Sequence, residues 1–305
     1  MNTGDRLSAW TLGTSPRVTI GGGRTPFASP RIGRMIMENP EGDPMKLLTP
    51  VILAALALVS TPALAQDAPR PAGYLTPETL PDAGLLLPAP PAVGSARDEA
   101  DRDVFRKTRA LEGSPRWALA QTDVPTAPAS MMTNFACALA ADLTPQTAPR
   151  LNMLMSRVGL QLGAQVASVK DLFKRPRPYL IQSGPICVPA SHELDESPDY
   201  PSGHSTWGFA NALILAQMAP ERSGQILARG RAYGESRVVC GVHSPSAVEA
   251  GRTNAAAIVA ALNASPTFRA DFEAARAEVD AARARGLADD RACAAEAELI
   301  AQTAY

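Results

Sequence analysis

The spacing of apolar positions divides the chain into an unpatterned first stretch, a proline-rich arm and a run of helices. The clearest period lies mid-chain. Leu151, Leu154, Val158, Leu162, Val166, Val169 and Phe173 recur at three- and four-residue steps and form one face of a long helix. Thr144-Pro145 opens that helix in this reading, and Pro176 and Pro178 end it. Further upstream, Ser95 is placed to cap a helix whose first turn carries Asp98 and Glu99. It runs to about Leu111 and stops at Gly113-Ser114-Pro115. A second helix is expected over 130–142, and 183–201 reads as loop. Helices over 205–218, 221–239, 244–262 and 268–285 finish the chain. No segment shows a convincing strand pattern and no internal repeat is visible. The expectation is an all-α, single-domain helical bundle over residues 95–305.

The stretch before it reads differently. Residues 66–94 include Leu85-Leu86-Leu87-Pro88-Ala89-Pro90-Pro91, an extended arm in which proline forbids regular helix. Met45-Lys46, an apolar run from Leu47 to Val59 and Ala63-Leu64-Ala65 stand in the order of a signal peptide over 45–65, cleaved after Ala65. That run is short for a bilayer span, and no later segment is a continuous apolar span. Residues 1–44 are rich in Arg, Gly, Pro and Ser and lack apolar periodicity. They are set aside as a spurious or disordered extension, with Met45 the expected start.

Composition agrees with this division. Of 305 residues, 46% are hydrophobic, enough for a sizeable core. Abundant alanine and only 5% aromatics favour helix. A formal net charge of -1 excludes the basic excess of a nucleic-acid binder. Export gives the four cysteines, Cys137, Cys187, Cys240 and Cys293, an oxidising setting. None forms a Cys-x-x-Cys pair, so zinc-ligand spacing is absent and up to two disulfides are expected, with all three connectivities open.

Three polar segments at helix ends carry the candidate chemistry. Lys170 lies in the last turns of the long helix and Arg177-Pro178 just beyond it, so both can point at one spot. Pro201-Ser202-Gly203-His204 stands directly before a helix, where backbone N–H groups and the Ser202 hydroxyl can cradle an anion. Gly203 lets backbone approach the ligand closely. Ser236-Arg237 is separated from His243 by five residues, and the arginine offers a planar fork for oxygen anions. Phosphoryl transfer needs these parts: cations for the equatorial oxygens, a nucleophile and an acid for the leaving group. Histidine titrates near neutrality, so one can attack while the other donates a proton. No carboxylate cluster of metal-binding spacing accompanies them, and neither metal nor other cofactor is expected.

The ordered triplet resembles the signature of the type 2 phosphatidic acid phosphatase superfamily, which also includes vanadium haloperoxidases. More narrowly, the chain is similar to the bacterial class A non-specific acid phosphatases. That similarity rests on Gly113-Ser114-Pro115-Arg116-Trp117, Phe135-Ala136-Cys137-Ala138-Leu139 and Ala250-Gly251-Arg252, and it spans about 74–262. It implies a periplasmic all-helical enzyme acting on phosphate monoesters. His243 would take the phosphoryl group and His204 would protonate the leaving oxygen. Lys170, Arg177, Ser202, Gly203 and Arg237 would hold the phosphate.

Two positions depart from the family pattern. An aspartate four residues after the nucleophile is replaced by Ala247, and Ser244 stands where an aromatic is usual. Four-residue spacing would put position 247 on the helical face of His243, where a carboxylate fixes the imidazole. Glu249 lies on another side, and Glu193, Asp195, Glu196 and Asp199 are the remaining carboxylates within reach. A reduced rate is therefore expected. The alternatives are a degenerate phosphate-binding member and a vanadium-dependent haloperoxidase. His192 reads as a solvated loop histidine, Lys174 and Arg175 as surface charges, and Trp117 and Trp207 as core. The helix at 268–285 reads as a solvated face or a contact between copies in a homo-oligomer.

Overall fold

A computed structural model describes residues 72–287 and 291–305. The expectations for 1–44, 45–65 and the first residues of the arm lie outside the described residues. Among the described residues there are α-helices and short 3-10 turns and no strand. The all-α expectation holds.

The helices are α1 (Ala83–Leu86), α2 (Ala96–Thr108), α3 (Pro115–Thr122), α4 (Pro128–Leu139), α5 (Pro149–Phe173) and α6 (Pro178–Ile181). They continue with α7 (His192–Glu196), α8 (Gly203–Met218), α9 (Ser223–Val239), α10 (Pro245–Ala264), α11 (Pro266–Arg285) and α12 (Arg291–Ala301). Proline is the recurrent starter: it occupies the first turn of α3, α4, α5, α6, α10 and α11. There its missing N–H costs nothing and its fixed φ suits the helix. Serine precedes it three times. Ser114, Ser244 and Ser265 each accept a backbone N–H from their helix.

This punctuation corrects several boundaries. Gly113-Ser114-Pro115 ends one helix but also begins α3, which periodicity did not reveal. The long helix opens at Pro149, because Thr144 and Thr147 close a hydrogen-bonded turn of their own. The arm is not wholly extended: Asp82 caps the single turn α1 through the N–H of Gly84. The 183–201 loop contains α7, capped by Ser191. The chain does not finish at α11, since α12 follows.

The core forms where α8 packs against both α9 and α10, and where α5 packs against α11. Helix α8 buries residues on nearly every side, including Trp207, Ala210, Ile214 and Leu215, as expected for a helix enclosed by others. Trp117 is buried too. Helix α11 is not solvated all round: Phe268, Ala275, Val279 and Ala282 are buried. Disulfides join Cys137 to Cys293, tying α4 to α12, and Cys187 to Cys240 at the C-terminus of α9. No helix among the described residues is long and apolar enough to cross a membrane.

Candidate active site

The start of α8 turns its first N–H groups, those of Gly203 and His204, outward from a helix whose next two, Ser205 and Thr206, donate back to Ser202. Ser202 is its cap, fully buried, and its Oγ accepts from the Ser205 N–H (3.3 Å) and the Ser205 hydroxyl (2.9 Å). Its own hydroxyl hydrogen is left for a further acceptor. Helix α10 docks against this turn. The Ser202 N–H donates to the carbonyl of Ala247 (3.0 Å), and a Cβ on Gly251 would come within 2.6 Å of the Ser202 carbonyl oxygen.

Three cations converge beside the cradle. Lys170, in the last turn of α5, donates to Ser197 Oγ (2.9 Å) and the Pro198 carbonyl (2.6 Å). Arg177 caps α6. Its Nε reaches the Ser197 carbonyl (2.6 Å), and its Nη1 reaches the Val242 carbonyl (2.8 Å) and His243 Nε2 (3.1 Å). Arg237 sits in the last turn of α9, only 2% exposed. Its carbonyl accepts from the N–H groups of Val242 and His243, which fixes the turn carrying the histidine. Yet its Nε and Nη1 are buried without any acceptor among the described residues, a costly arrangement unless something else enters. Burial, then the charge of Arg177, pushes Lys170 down to about 7 against the pull of Asp199. Burial also pushes Arg237 down to about 10.

Both imidazoles lie in this field. Arg177 can only donate, so His243 Nε2 is an acceptor and the ring proton sits on Nδ1. Nδ1 lies 2.9 Å from Asp199 Oδ1. Burial, then Arg177, Lys170 and Arg237, hold His243 well below the usual histidine range. His204 Nε2 donates to the Val124 carbonyl (2.9 Å), leaving Nδ1 as the atom free to carry a transferable proton. Its ring stacks on Tyr233, 6.5 Å between centroids and 21° apart in plane. Burial, then Arg237, keeps it well below the usual range as well. The structure thus brings together Lys170, Arg177, Ser202, Gly203, His204, Arg237 and His243, from α5, α6, α8, α9 and the turn before α10.

Sequence comparison supplies the relatives. The pattern of the PAP2 superfamily matches residues 151–270. The chain is 39% identical over 214 residues to an acid phosphatase of Zymomonas mobilis, covering 70% of this chain and 81% of the relative. It is 31% identical over 209 residues to a non-specific acid phosphatase of Salmonella typhimurium (68% and 84% covered). It is 33% identical over 207 residues to one of Providencia stuartii (67% and 84% covered). The chain belongs to the non-specific acid phosphatases of the PAP2 superfamily.

Positions 247 and 244, where departures from the family pattern were expected, take on a geometry. The helical-face relation expected between His243 and position 247 does not exist: α10 begins at Pro245, so His243 precedes the helix and its cap. Glu249 is exposed and pairs with Arg97. Of the loop carboxylates, Glu193, Asp195 and Glu196 fall on α7. Asp195 accepts from the Tyr179 hydroxyl (2.5 Å), and Glu196 pairs with the exposed His192 (3.2 Å). Asp199 is the one at the site, with no exposed surface.

Arg175 is a residue that sequence reasoning misplaced. Read as a surface charge, its side chain is 11% exposed. It donates to Asp98 (3.1 Å), Asp101 (2.9 Å), Ser244 Oγ (2.9 Å) and Ser246 Oγ (2.7 Å). The local signal was its position between the helix end and Pro176-Arg177. Its partners lie more than 65 positions away in the chain, and no local pattern encodes them.

Proposed function

We propose that this chain is an exported, metal-independent acid phosphatase that hydrolyses phosphate monoesters through a phosphohistidine at His243. The observation that carries the reading is Arg237, whose Nε and Nη1 are buried without an acceptor amid two imidazoles and two further cations. A tetrahedral dianion matches this unmet donor set, together with the Ser202 hydroxyl and the start of α8. Lys170, Arg177 and Arg237 supply the charge neutralisation that a metal ion provides elsewhere.

The chemistry then balances within the chain. The lone pair of His243 Nε2 attacks phosphorus as the ester P–O bond breaks, and the leaving oxygen takes a proton from His204 Nδ1. In the second half water attacks phosphorus as the bond to His243 Nε2 breaks, giving its proton to His204. Phosphate leaves and Nε2 recovers its lone pair. Residues 95–305 serve as one catalytic domain that follows the 66–94 arm in the chain. Two disulfides support an oxidising, periplasmic destination, in keeping with the signal-like stretch at 45–65. The similarity to named acid phosphatases favours this reading over a vanadium haloperoxidase. The Asp199 contact to His243 weighs against a degenerate phosphate binder.

Hydrolysis of p-nitrophenyl phosphate by the chain from Gln66, between pH 4 and 8 with chelator present, tests the proposal. Activity is expected to survive chelation and to fall at least about 10³-fold in His243→Ala. Activity that needs added metal, or that persists in His243→Ala, overturns it.

A further inference from the structure

We propose that Asp199 is the positioning carboxylate of His243, doing from the segment before the cradle what the family's aspartate does from the position held here by Ala247. This rests on the phosphatase reading above. Its support is geometric. Asp199 Oδ1 lies 2.9 Å from His243 Nδ1, on the ring edge opposite the nitrogen that would attack phosphorus. A carboxylate there holds the proton on Nδ1, keeps the Nε2 lone pair free, and stabilises the ring as it gains positive charge.

The carboxylate is itself held. Oδ1 also accepts the Ser244 N–H (3.0 Å), and Oδ2 accepts the Ser244 hydroxyl (2.6 Å). Arg175 Nη1 approaches Oδ2 to 3.5 Å, and this arginine is anchored from behind by Asp98 and Asp101. Asp101 in turn accepts the N–H and hydroxyl of Ser246. No freedom of rotation is left to a side chain so surrounded.

One relocation accounts for both departures from the family pattern. Ala247 packs in an apolar cluster with Val169, Tyr200 and Ala250, surroundings that leave no charge to be expected there. Ser244, standing where an aromatic is usual, provides two of the donors that fix Asp199. The missing aspartate and the unexpected serine are parts of one rearranged support, in which the carboxylate reaches the imidazole from a different stretch of chain. The site is complete, not degenerate.

Asp199→Asn tests this, because it keeps size and removes the charge. Oδ1 faces both the Nδ1 proton and the Ser244 N–H, so the amide oxygen is expected to keep that place and the NH2 to face the Ser244 hydroxyl, which leaves the ring proton on Nδ1 and removes the charge that stabilises the imidazolium. The expected result is a loss in kcat of about 10–10²-fold, the scale of removing the charge of a carboxylate that orients a functional histidine. Binding of inorganic phosphate should stay within about threefold, and the acid limb of kcat/KM should move to lower pH. That last shift has a defined sign. Arg177, Lys170 and Arg237 all press His243 toward neutrality, and Asp199 is the group opposing them. Nitrogen-15 NMR reads the contact apart from turnover: His243 titrating lower in Asp199→Asn than in the parent supports the proposal, and an unchanged titration, or a parent ring protonated on Nε2, overturns it. Unchanged kcat and pH profile in Asp199→Asn overturn it as well. A parent without phosphatase activity removes the functional reading alone, and the tautomer still reports on Asp199.

Discussion

Arg237 carries two donors that meet no acceptor although the side chain is buried. Leaving such donors unmet costs about 1–3 kcal/mol each, more for a charged group. The cost is tolerable only if a ligand recovers it. Lysine at this position keeps the charge but loses the planar pair of N–H groups. Arg237→Lys is therefore expected to lower kcat/KM for p-nitrophenyl phosphate by about 10²–10³-fold, the range found for removing one oriented donor from an oxyanion site. Steady-state kinetics on the purified variant checks this, and a loss below threefold contradicts it. Arg237, Arg177, Lys170 and the two histidines were legible in the sequence because each lies a short, fixed number of residues from a helix end. Asp199 was visible only as one of four loop carboxylates, and Arg175 looked like an ordinary charge beside a proline. Their roles depend on partners brought in by packing, Asp98, Asp101 and Ser244, and short-range spacing carries no trace of those.

At the scale of elements, one segment organises the site. Residues 197–204 present Ser197 and Pro198 to Lys170 and Arg177, Asp199 to His243, and Ser202 to the start of α8. Helix α10 clamps this segment through its small residues. Ala247 accepts the Ser202 N–H, and at Gly251 an added Cβ would meet the Ser202 carbonyl oxygen at 2.6 Å and the Thr206 nitrogen at 3.1 Å. Both are backbone atoms and cannot rotate away. Gly251→Ala should thus destabilise by about 1–3 kcal/mol through overpacking, despite alanine's intrinsic helix advantage of about 1 kcal/mol. Gly163 in α5 has open space around its Cβ position, so Gly163→Ala should stabilise by about 0.5–1 kcal/mol. Urea unfolding of both variants tests the pair, and equal signs would refute the clamp. Helix positions were largely readable from periodicity, and the errors share a cause. At 113–115 proline was read as a stop, whereas Ser114-Pro115 marks a start, and the long helix opens at Pro149 instead of at Thr144-Pro145. Helices α3 and α7 are too short to show a repeating apolar face.

For the whole molecule, the buried cations set how stability and activity follow pH. Lys170 titrates at about 7 in the folded chain, far below an exposed lysine, and His204 and His243 titrate well below 6.5. A base lowered on folding binds fewer protons in the native state than in the unfolded state, so stability falls as pH drops through the interval between its two values. The lysine contribution is lost between about pH 10.4 and 7, and the histidine contribution continues downward from 6.5. Asp199, raised by burial despite Ser244 and Arg175, opposes this trend at the acid end. An anion in the cradle reverses the burden, because it favours the charged form of every one of these bases. Binding therefore takes up protons and tightens as pH falls. Sulfate keeps one charge state across this range, which isolates the protein's own titration. At pH 5, sulfate at ten times its dissociation constant is expected to add about 1.4 kcal/mol and raise Tm by roughly 3–5 °C. The same concentration at pH 8 should give less than half that shift, and Arg237→Lys should show little shift at either pH. The kcat/KM profile follows from the same groups. His204 must be protonated and His243 neutral, and with both held below 6.5 the optimum falls on the acid side. A sulfate-induced Tm shift that is equal at both pH values, or an optimum at or above pH 7.5, would show that these side chains do not form the anion site.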